Sequence, residues 1–395
     1  MKYFDIFMNV LLKALSYVLA AAVGAALVVT LFLYTNVIHM DPGLTKLEQL
    51  QQLIEECFIG DADTTAMEDA AAEAMIDSLG DRWSYYIPAD EYASYKEQMT
   101  NSYVGVGITV AIREDSEGVD VAQVYAGGPA EEAGLLPGDM IVAVDGERFD
   151  ASNLTEVSNR VKGTAGTTVD LTVLRSGSEM TFTVERRQIQ VAVAAGEMLD
   201  DGIGLVTIAN FDERCAQETI DAIEELLSSG AQSLIFDVRN NPGGYKDELV
   251  EVLDYLLPKG ALFRSEDYTG ATSVDYSDES CLDVPMVVLI NSESYSAAEF
   301  FAAALSEYEA AQTVGQQTCG KGYFQQTFDL IDGSAVGLSV GKYFTPNGIS
   351  LAGVGITPDL VVEVDEEMFD AIYAGILEPE EDPQIQAAVE LLRGE

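Results

Sequence analysis

The chain has 395 residues, enough for two or three domains with cores of their own, and its hydrophobic fraction of 48% is that of a globular protein. Twenty Lys plus Arg stand against 67 Asp plus Glu, a net charge of −47. Such a field repels phosphate backbones and excludes a nucleic-acid partner, while the lack of any D-x-D-x-D-G spacing leaves the acidity as a solvated surface rather than a calcium loop.

Residues 14–34, ALSYVLAAAVGAALVVTLFLY, contain no charge and are long enough to span a bilayer core of about 30 Å as a helix. Lys2 and Lys13 precede this stretch, which favours an N-terminus in the cytoplasm and the remainder outside. A cleaved signal peptide is the rival reading. The run is long for that, and no small-x-small site follows it before Asp41, so an uncleaved anchor is expected.

Residues 44–100 alternate helical patterns with acidic breaks. LTKLEQLQQLIEECF and TTAMEDAAAEAMIDSL repeat apolar residues at three- and four-residue spacing, and neither carries a catalytic constellation, so a small helical arm or cap is expected over 41–102. From 103 to 190 the character changes. YVGVGITVAI and VDVAQVY read as strands, AGGPAEEAGLLPGDMIVAVDGE as a short helix among turns, NLTEVSNRVKG as a helix, and TTVDLTVLRSG with EMTFTVERRQ as a closing hairpin. From 191 to 362 strands and helices alternate: GIGLVTIANF, the helix ERCAQETIDAIEELLSSG, the strand SLIFDVRN, the helix YKDELVEVLDYLLP, and the strand PMVVLI feeding a helix near Ser296. That order predicts a layered α/β core with buried, largely parallel strands. The tail, 363–395, is acidic and weakly helical.

Four cysteines, at 57, 215, 281 and 319, lie far apart with no C-x-x-C, and the single histidine, His39, completes no cluster, so no zinc site is expected. One disulfide is allowed in an exported chain, but free buried thiols are the favoured reading.

Chemistry concentrates in three stretches. NSESYSAAEF, 291–300, places three serines just after a buried strand, and SAAE at 296–299 fits a helix capping box that needs no catalysis. Yet a serine at the carboxyl end of a strand lies where α/β sheets place their sites, beside the free N–H groups of a helix start. Ser292 and Ser294 remain alternatives. With no usable histidine, a general base must be sought elsewhere. VGQQTCGKGYFQQTF, 314–328, has the G-x-x-x-x-G-K of a phosphate loop, but Gly322 stands where Ser or Thr should hold magnesium and a strand pattern follows instead of a helix. Lys321 is either a solvated surface lysine or a buried one, neutral enough to deprotonate a serine; Gln325, four residues on, is in reach to orient its amine or is an ordinary strand amide. DVRNNPGG, 237–244, is a tight turn after a strand whose Gly243 or Gly244 N–H, together with that of Ala297, could face a developing oxyanion.

Together these stretches resemble the carboxyl-terminal processing proteases, the tail-specific, PDZ-containing serine peptidases of family S41. SYSAAE (294–299) matches the family's S-x-S-A-x-E, GKGYFQ (320–325) its G-K-G followed by Gln, and DVRNNPGG its D-x-R-N-N-x-G-G. DGSAVGLSVGKYFTPNG and GVGITPDL look like its closing segment, DRWSYYIPADEY (81–92) like the segment before its PDZ domain, and GGPAEEAGLLPGDMIVAVDG like its PDZ signature. The resemblance runs from about residue 80 to 360. It implies a Ser296–Lys321 dyad with Gln325 orienting the base, an oxyanion site at Gly243 and Ala297, and a PDZ carboxylate-binding loop at Val104, Gly105, Val106, Gly107 and Ile108. With the anchor, arm and tail read above, the expected architecture is multidomain α/β: a cytoplasmic 1–13, a transmembrane helix 14–34, the arm 41–102, a β-rich PDZ domain with two helices over 103–190, a crotonase/ClpP-like protease core over 191–362, and the acidic tail 363–395. It further implies an extracytoplasmic serine endopeptidase at the cell membrane that needs no cofactor and no metal and acts on proteins or peptides with exposed apolar C-termini; homo-oligomerisation is allowed. A catalytically inactive PDZ scaffold that binds C-termini is the alternative. Three departures stand out: Ala298 where the family often has serine, Cys319 where an aromatic is commoner, and Tyr295 in place of a small residue beside the serine.

Overall fold

The computed structural model describes residues 2–35, 43–112, 118–125, 127–149, 154–374 and 377–394. His39 falls outside them. The chain divides into two compact units, Met1–Met75 and Ile76–Glu395.

In the first unit, the helix Lys2–Thr35 contains one stretch, Phe7–Thr30, long and apolar enough to cross a membrane. Two further helices follow, Lys46–Cys57 and Thr64–Asp77. The first of these starts on a full capping box, with Thr45 N–H donating to Glu48 and Glu48 N–H to Thr45 Oγ1.

The expected arm does not continue to 102. Tyr85–Ile87 is a strand paired with Ala335–Gly337, and the helix Ala89–Met99 follows it within the second unit. The pairing is reinforced by Tyr85, whose hydroxyl meets those of Tyr95 and Thr327.

The PDZ portion is a sheet of Ile108–Ile112, Val119–Val124, Met140–Val144, Thr168–Arg175 and Ser178–Glu185, with helices Pro129–Ala133 and Leu154–Val161. Thr168–Arg175 alternates buried and open positions, so Val169, Leu171 and Val173 join Val119, Val121, Ile141 and Val157 in one core. The last two strands form the expected hairpin across Ser176–Gly177.

The expected α/β core is a six-stranded sheet in the spatial order Ala194–Met198, Ile203–Ile208, Ser233–Asp237, Met286–Ile290, Ala311–Gly315, Leu360–Val361, parallel except for its first pair. The helix Ala297–Glu307 is buried from Ala297 to Leu305 because it lies inside the main apolar cluster. Its Phe300 and Phe301 meet Phe263, Phe236 and Phe211 at ring-centroid separations of 5.3 to 5.7 Å. A second sheet gathers Tyr85–Ile87, Ala261–Asp267, Thr272–Tyr276, Tyr323–Asp329 and Ala335–Phe344.

The acidic tail is more than a tail. Its helix Pro383–Arg393 packs Ile385, Ala388 and Val389 against the outer face of the core sheet. All four cysteines are free, and only Cys215 is buried; Cys57 and Cys281 are exposed and Cys319 is part-buried, so the expectation of buried thiols holds for one of them.

Candidate active site

Three neighbouring parallel strands end at one edge of the core sheet, and each delivers one of the stretches singled out above. Ser233–Asp237 leads to Gly243, Met286–Ile290 to Ser296, and Ala311–Gly315 to Lys321. The first two loops are stitched together: Asn240 N–H donates to Asn291 Oδ1 (3.0 Å), Asn291 Nδ2 to Asn240 Oδ1 (2.7 Å), and Tyr295 N–H to the Asn241 carbonyl (3.1 Å).

The three serines separate cleanly. Ser294 is fully buried and structural, since its hydroxyl donates to the Val238 carbonyl (2.7 Å) and accepts from Asn291 N–H (3.0 Å). Ser292 is exposed on the loop. Ser296 heads the helix with φ 57° and ψ −124°, far from the extended conformation an N-cap ordinarily takes. A non-glycine residue holds that geometry only where its surroundings over-determine it.

Those surroundings centre on Glu299, which the capping box had already explained and which therefore drew no further role from the sequence. It is completely buried. Its Oε2 accepts from Ser296 N–H (3.0 Å) and Lys321 N–H (2.8 Å), and its Oε1 from Gly320 N–H (2.7 Å) and Thr318 Oγ1 (2.5 Å). One carboxylate thus ties the start of the serine helix to the lysine strand. Burial pushes the Glu299 carboxyl above its usual range, and the four donors pull it back.

Lys321 is part-buried, and burial drives its amine below the usual lysine range against the opposing pull of Cys319, Glu299 and Asp81. Among the described residues its Nζ makes no ion pair or hydrogen bond, to Ser296 or Gln325 included; it lies instead 4.8 Å from the ring centre of Trp83 and 5.8 Å from that of Tyr295. Gln325 donates to Ser339 Oγ (3.0 Å), its cross-strand partner, and more weakly to the Tyr323 carbonyl. The strand Tyr323–Asp329 that follows Lys321, where a phosphate loop would start a helix, removes the nucleotide reading.

Gly243 lies against the serine. A Cβ there would stand 2.7 Å from Ser296 Cβ and 2.9 Å from Ala297 N, and its φ of 91° suits glycine alone. Its N–H, however, is engaged by Asn241 Oδ1 (2.8 Å) and so is not open in this state. The Ala297 N–H, at the first turn of the helix, has no partner among the described residues. Gly244, Lys246, Leu249, Phe263, Ala297 and Tyr343 close around Ser296 and leave no room there for a water molecule.

In the PDZ portion, Gly105, Val106, Gly107 and Ile108 line a groove of about 460 Å³ with Tyr125, Val157, Val161 and Lys162. Gly107 turns the chain there at φ 77°. Val104 does not line the groove: it pairs with Gln188 in a separate two-stranded ribbon and its N–H goes to Glu97 (3.1 Å).

The peptidase family S41 profile matches residues 202–362, and a PDZ domain profile matches 121–175. The carboxyl-terminal-processing protease of a Synechocystis species is 33% identical over 331 residues, spanning 82% of this chain and 76% of the relative. This chain belongs to peptidase family S41. The S41 peptidase is also 32% identical over 330 residues to the carboxy-terminal processing protease CtpA of Bacillus subtilis, spanning 82% and 70% of the two chains. Its fold is shared by a putative S41 protease of Bacteroides fragilis, at a TM-score of 0.58 and 16% identity over 91% of this chain and 99% of that one. It is accordingly a serine peptidase of the family that holds the carboxyl-terminal processing proteases.

Proposed function

We propose that this S41 peptidase is a membrane-anchored, extracytoplasmic endopeptidase that receives substrates by their C-termini and cleaves them with a Ser296–Lys321 dyad. The observation that carries the reading is the shared Glu299 Oε2, which bonds both the Ser296 and Lys321 amides and so keeps the two residues within two hydrogen bonds of each other. Ser296 Oγ attacks the scissile carbonyl as neutral Lys321 takes its proton. The proton then passes to the leaving amine, and water resolves the acyl-enzyme by the same route in reverse. The open Ala297 N–H faces the developing oxyanion, and Gly243 joins it when its amide exchanges Asn241 for the substrate. Gln325 lies directly across the strand pair from Ser339, which ties it through the Ser84–Asp81 pair to the wall beside Lys321.

The PDZ groove suits an apolar tail added as a strand along Ile108–Ile112, its terminal carboxylate meeting the amides of 105–108. Phe7–Thr30 serves as the anchor, with Lys2 on the cytoplasmic side and Lys13 within the span near that end. The deciding experiment replaces Ser296 or Lys321 with Ala and follows cleavage of an unstructured, apolar-tailed protein, together with fluorophosphonate labelling. Both variants lose cleavage at unchanged circular dichroism, and Ser296→Ala loses the label. Wild-type turnover in either variant overturns the dyad.

A further inference from the structure

Lys321 raises a question that the dyad alone does not answer. Among the described residues its amine pairs with no carboxylate, and it rests on two rings. Trp83 comes from the segment before the PDZ domain and Tyr295 from the loop just before the serine, where a small residue is commoner in the resembling family. The two rings meet each other at 5.8 Å between centroids, tilted by 35°. Trp83 is held in turn by Arg82, whose guanidinium lies 4.3 Å from the ring centre and whose Nη2 reaches Cys319 Sγ (3.7 Å), and by Asp81, which accepts its N–H (3.2 Å). Both Lys321 distances fall within the roughly 6 Å at which a ring face attracts a cation.

We propose that Trp83, with Tyr295, is a positioning element for the base: an aromatic clamp that favours the Lys321 ammonium, holds it off Ser296 in the resting enzyme and thereby sets the pH at which the enzyme becomes active. This rests on the Ser296–Lys321 reading above. The charged and titratable groups facing the amine are Cys319 on its own segment, Glu299 on the serine helix, Asp81 and Arg82 beside Trp83, and Tyr295, itself next to Glu293. Glu299 spends both oxygens on other donors, and Asp81 takes Ser84 Oγ and Trp83 N–H. The rings are therefore the groups left to meet the ammonium directly. Burial works toward the neutral amine and the clamp works against it, so the clamp tunes how far the amine falls.

Trp83 is the only tryptophan in the chain, which allows a test that leaves shape and burial alone. The full-length enzyme is produced with mono-, di- and trifluorinated tryptophan, each step draining the ring face of negative potential. The expected result is that the acid limb of kcat/KM moves to lower pH step by step, by about one unit across the series, or about tenfold in rate at a fixed pH on that limb. In parallel, the fluorine resonance of the labelled enzyme titrates with pH, and the Lys321→Met variant abolishes that titration while Cys319→Ala keeps it. An acid limb that stays fixed across the series, or a fluorine titration that survives Lys321→Met, overturns the proposal. If Lys321→Ala retains activity, the dyad reading falls, and the fluorine titration still decides on the clamp by itself.

Discussion

Replacing Glu299 with Gln changes one atom's chemistry at the junction of the two candidate catalytic segments. Each carboxylate oxygen accepts from two donors, so whichever way the new amide turns, its NH2 group faces two N–H or O–H groups that had an acceptor. Hydrogen bonds to a charged acceptor contribute about 1.5–3 kcal/mol each, so losing two costs roughly 3–6 kcal/mol. The pair lost is either Ser296 with Lys321 or Gly320 with Thr318, and both loosen the distance from the serine to the base. If even half of the lower figure falls on the transition state rather than on folding, kcat/KM drops by about tenfold, and by over a hundredfold if all of it does. The assay pairs urea denaturation with kcat/KM on a peptide carrying an apolar tail, measured well below the denaturation midpoint. Glu299→Ala, which leaves all four donors in a cavity, should lose more in stability than Glu299→Gln. A Glu299→Gln enzyme within twofold of wild type in both measurements would refute the view that this carboxylate holds the site together.

Gly243→Ala puts a methyl group 2.7 Å from Ser296 Cβ and 2.9 Å from the Ala297 and Tyr295 backbone at a φ of 91°, so kcat/KM should fall at least a hundredfold together with a clear loss of stability, and near-normal turnover would contradict the placement of Gly243 against the serine. Arg239, buried between Asp237 and Asp382 and bonded to Gln384, ties the loop that carries Gly243 to the C-terminal helix; Arg239→Met strands two carboxylates, costs about 3–5 kcal/mol and should raise amide exchange across 383–393. Asp212 sits beneath that loop, where burial, then Glu213 and Glu248, raise its pKa from 3.8 to about 7. A carboxyl that is higher in the folded chain takes up a proton on folding, so its contribution is complete below about pH 4 and is lost as pH rises through 7. The stability gap between Asp212→Asn and wild type should therefore widen in the variant's favour from pH 4 to pH 8, reaching at most roughly 4 kcal/mol by urea denaturation at each pH, and a constant gap would show that Asp212 ionises freely.

What could be read from the sequence was whatever physics writes locally. The alternation of Thr168–Arg175, the parallel-strand runs and the helix starts all depend on neighbours within a few residues, and they appear where their patterns predict. The segments around Ser296 and Lys321 stand out in the sequence because their local composition is unusual, three serines or a lysine between glycines, and the structure brings both to one edge of the sheet. The second sheet was not, because it collects strands from 85 to 344 whose pairing is a tertiary matter. The docking of 383–393 was hidden by the acids around it, since an acidic outer face says nothing about the apolar Ile385, Ala388 and Val389 on the inner one. Trp83 was invisible for the same reason of distance: 238 residues separate it from Lys321, and nothing in DRWSYY says which side chain it will cover.

The acidity of the chain poses the sharpest objection to a lysine base, because a field of 47 excess negative charges favours the ammonium. The geometry answers it at short range. Screening confines distant charges to about 8 Å, so what matters is the handful of groups beside the amine. Of the carboxylates among them, Glu299 and Asp81 accept from neighbouring hydroxyls and amides, so they act on Lys321 by charge alone and make no direct bond to its amine. Aromatic rings occupy the positions a free carboxylate would otherwise take, and a ring attracts a cation far less strongly than an ion pair in the same place would. Desolvation therefore remains the larger influence, and it drives the amine below the usual lysine range even on a protein with so large an excess of negative charge.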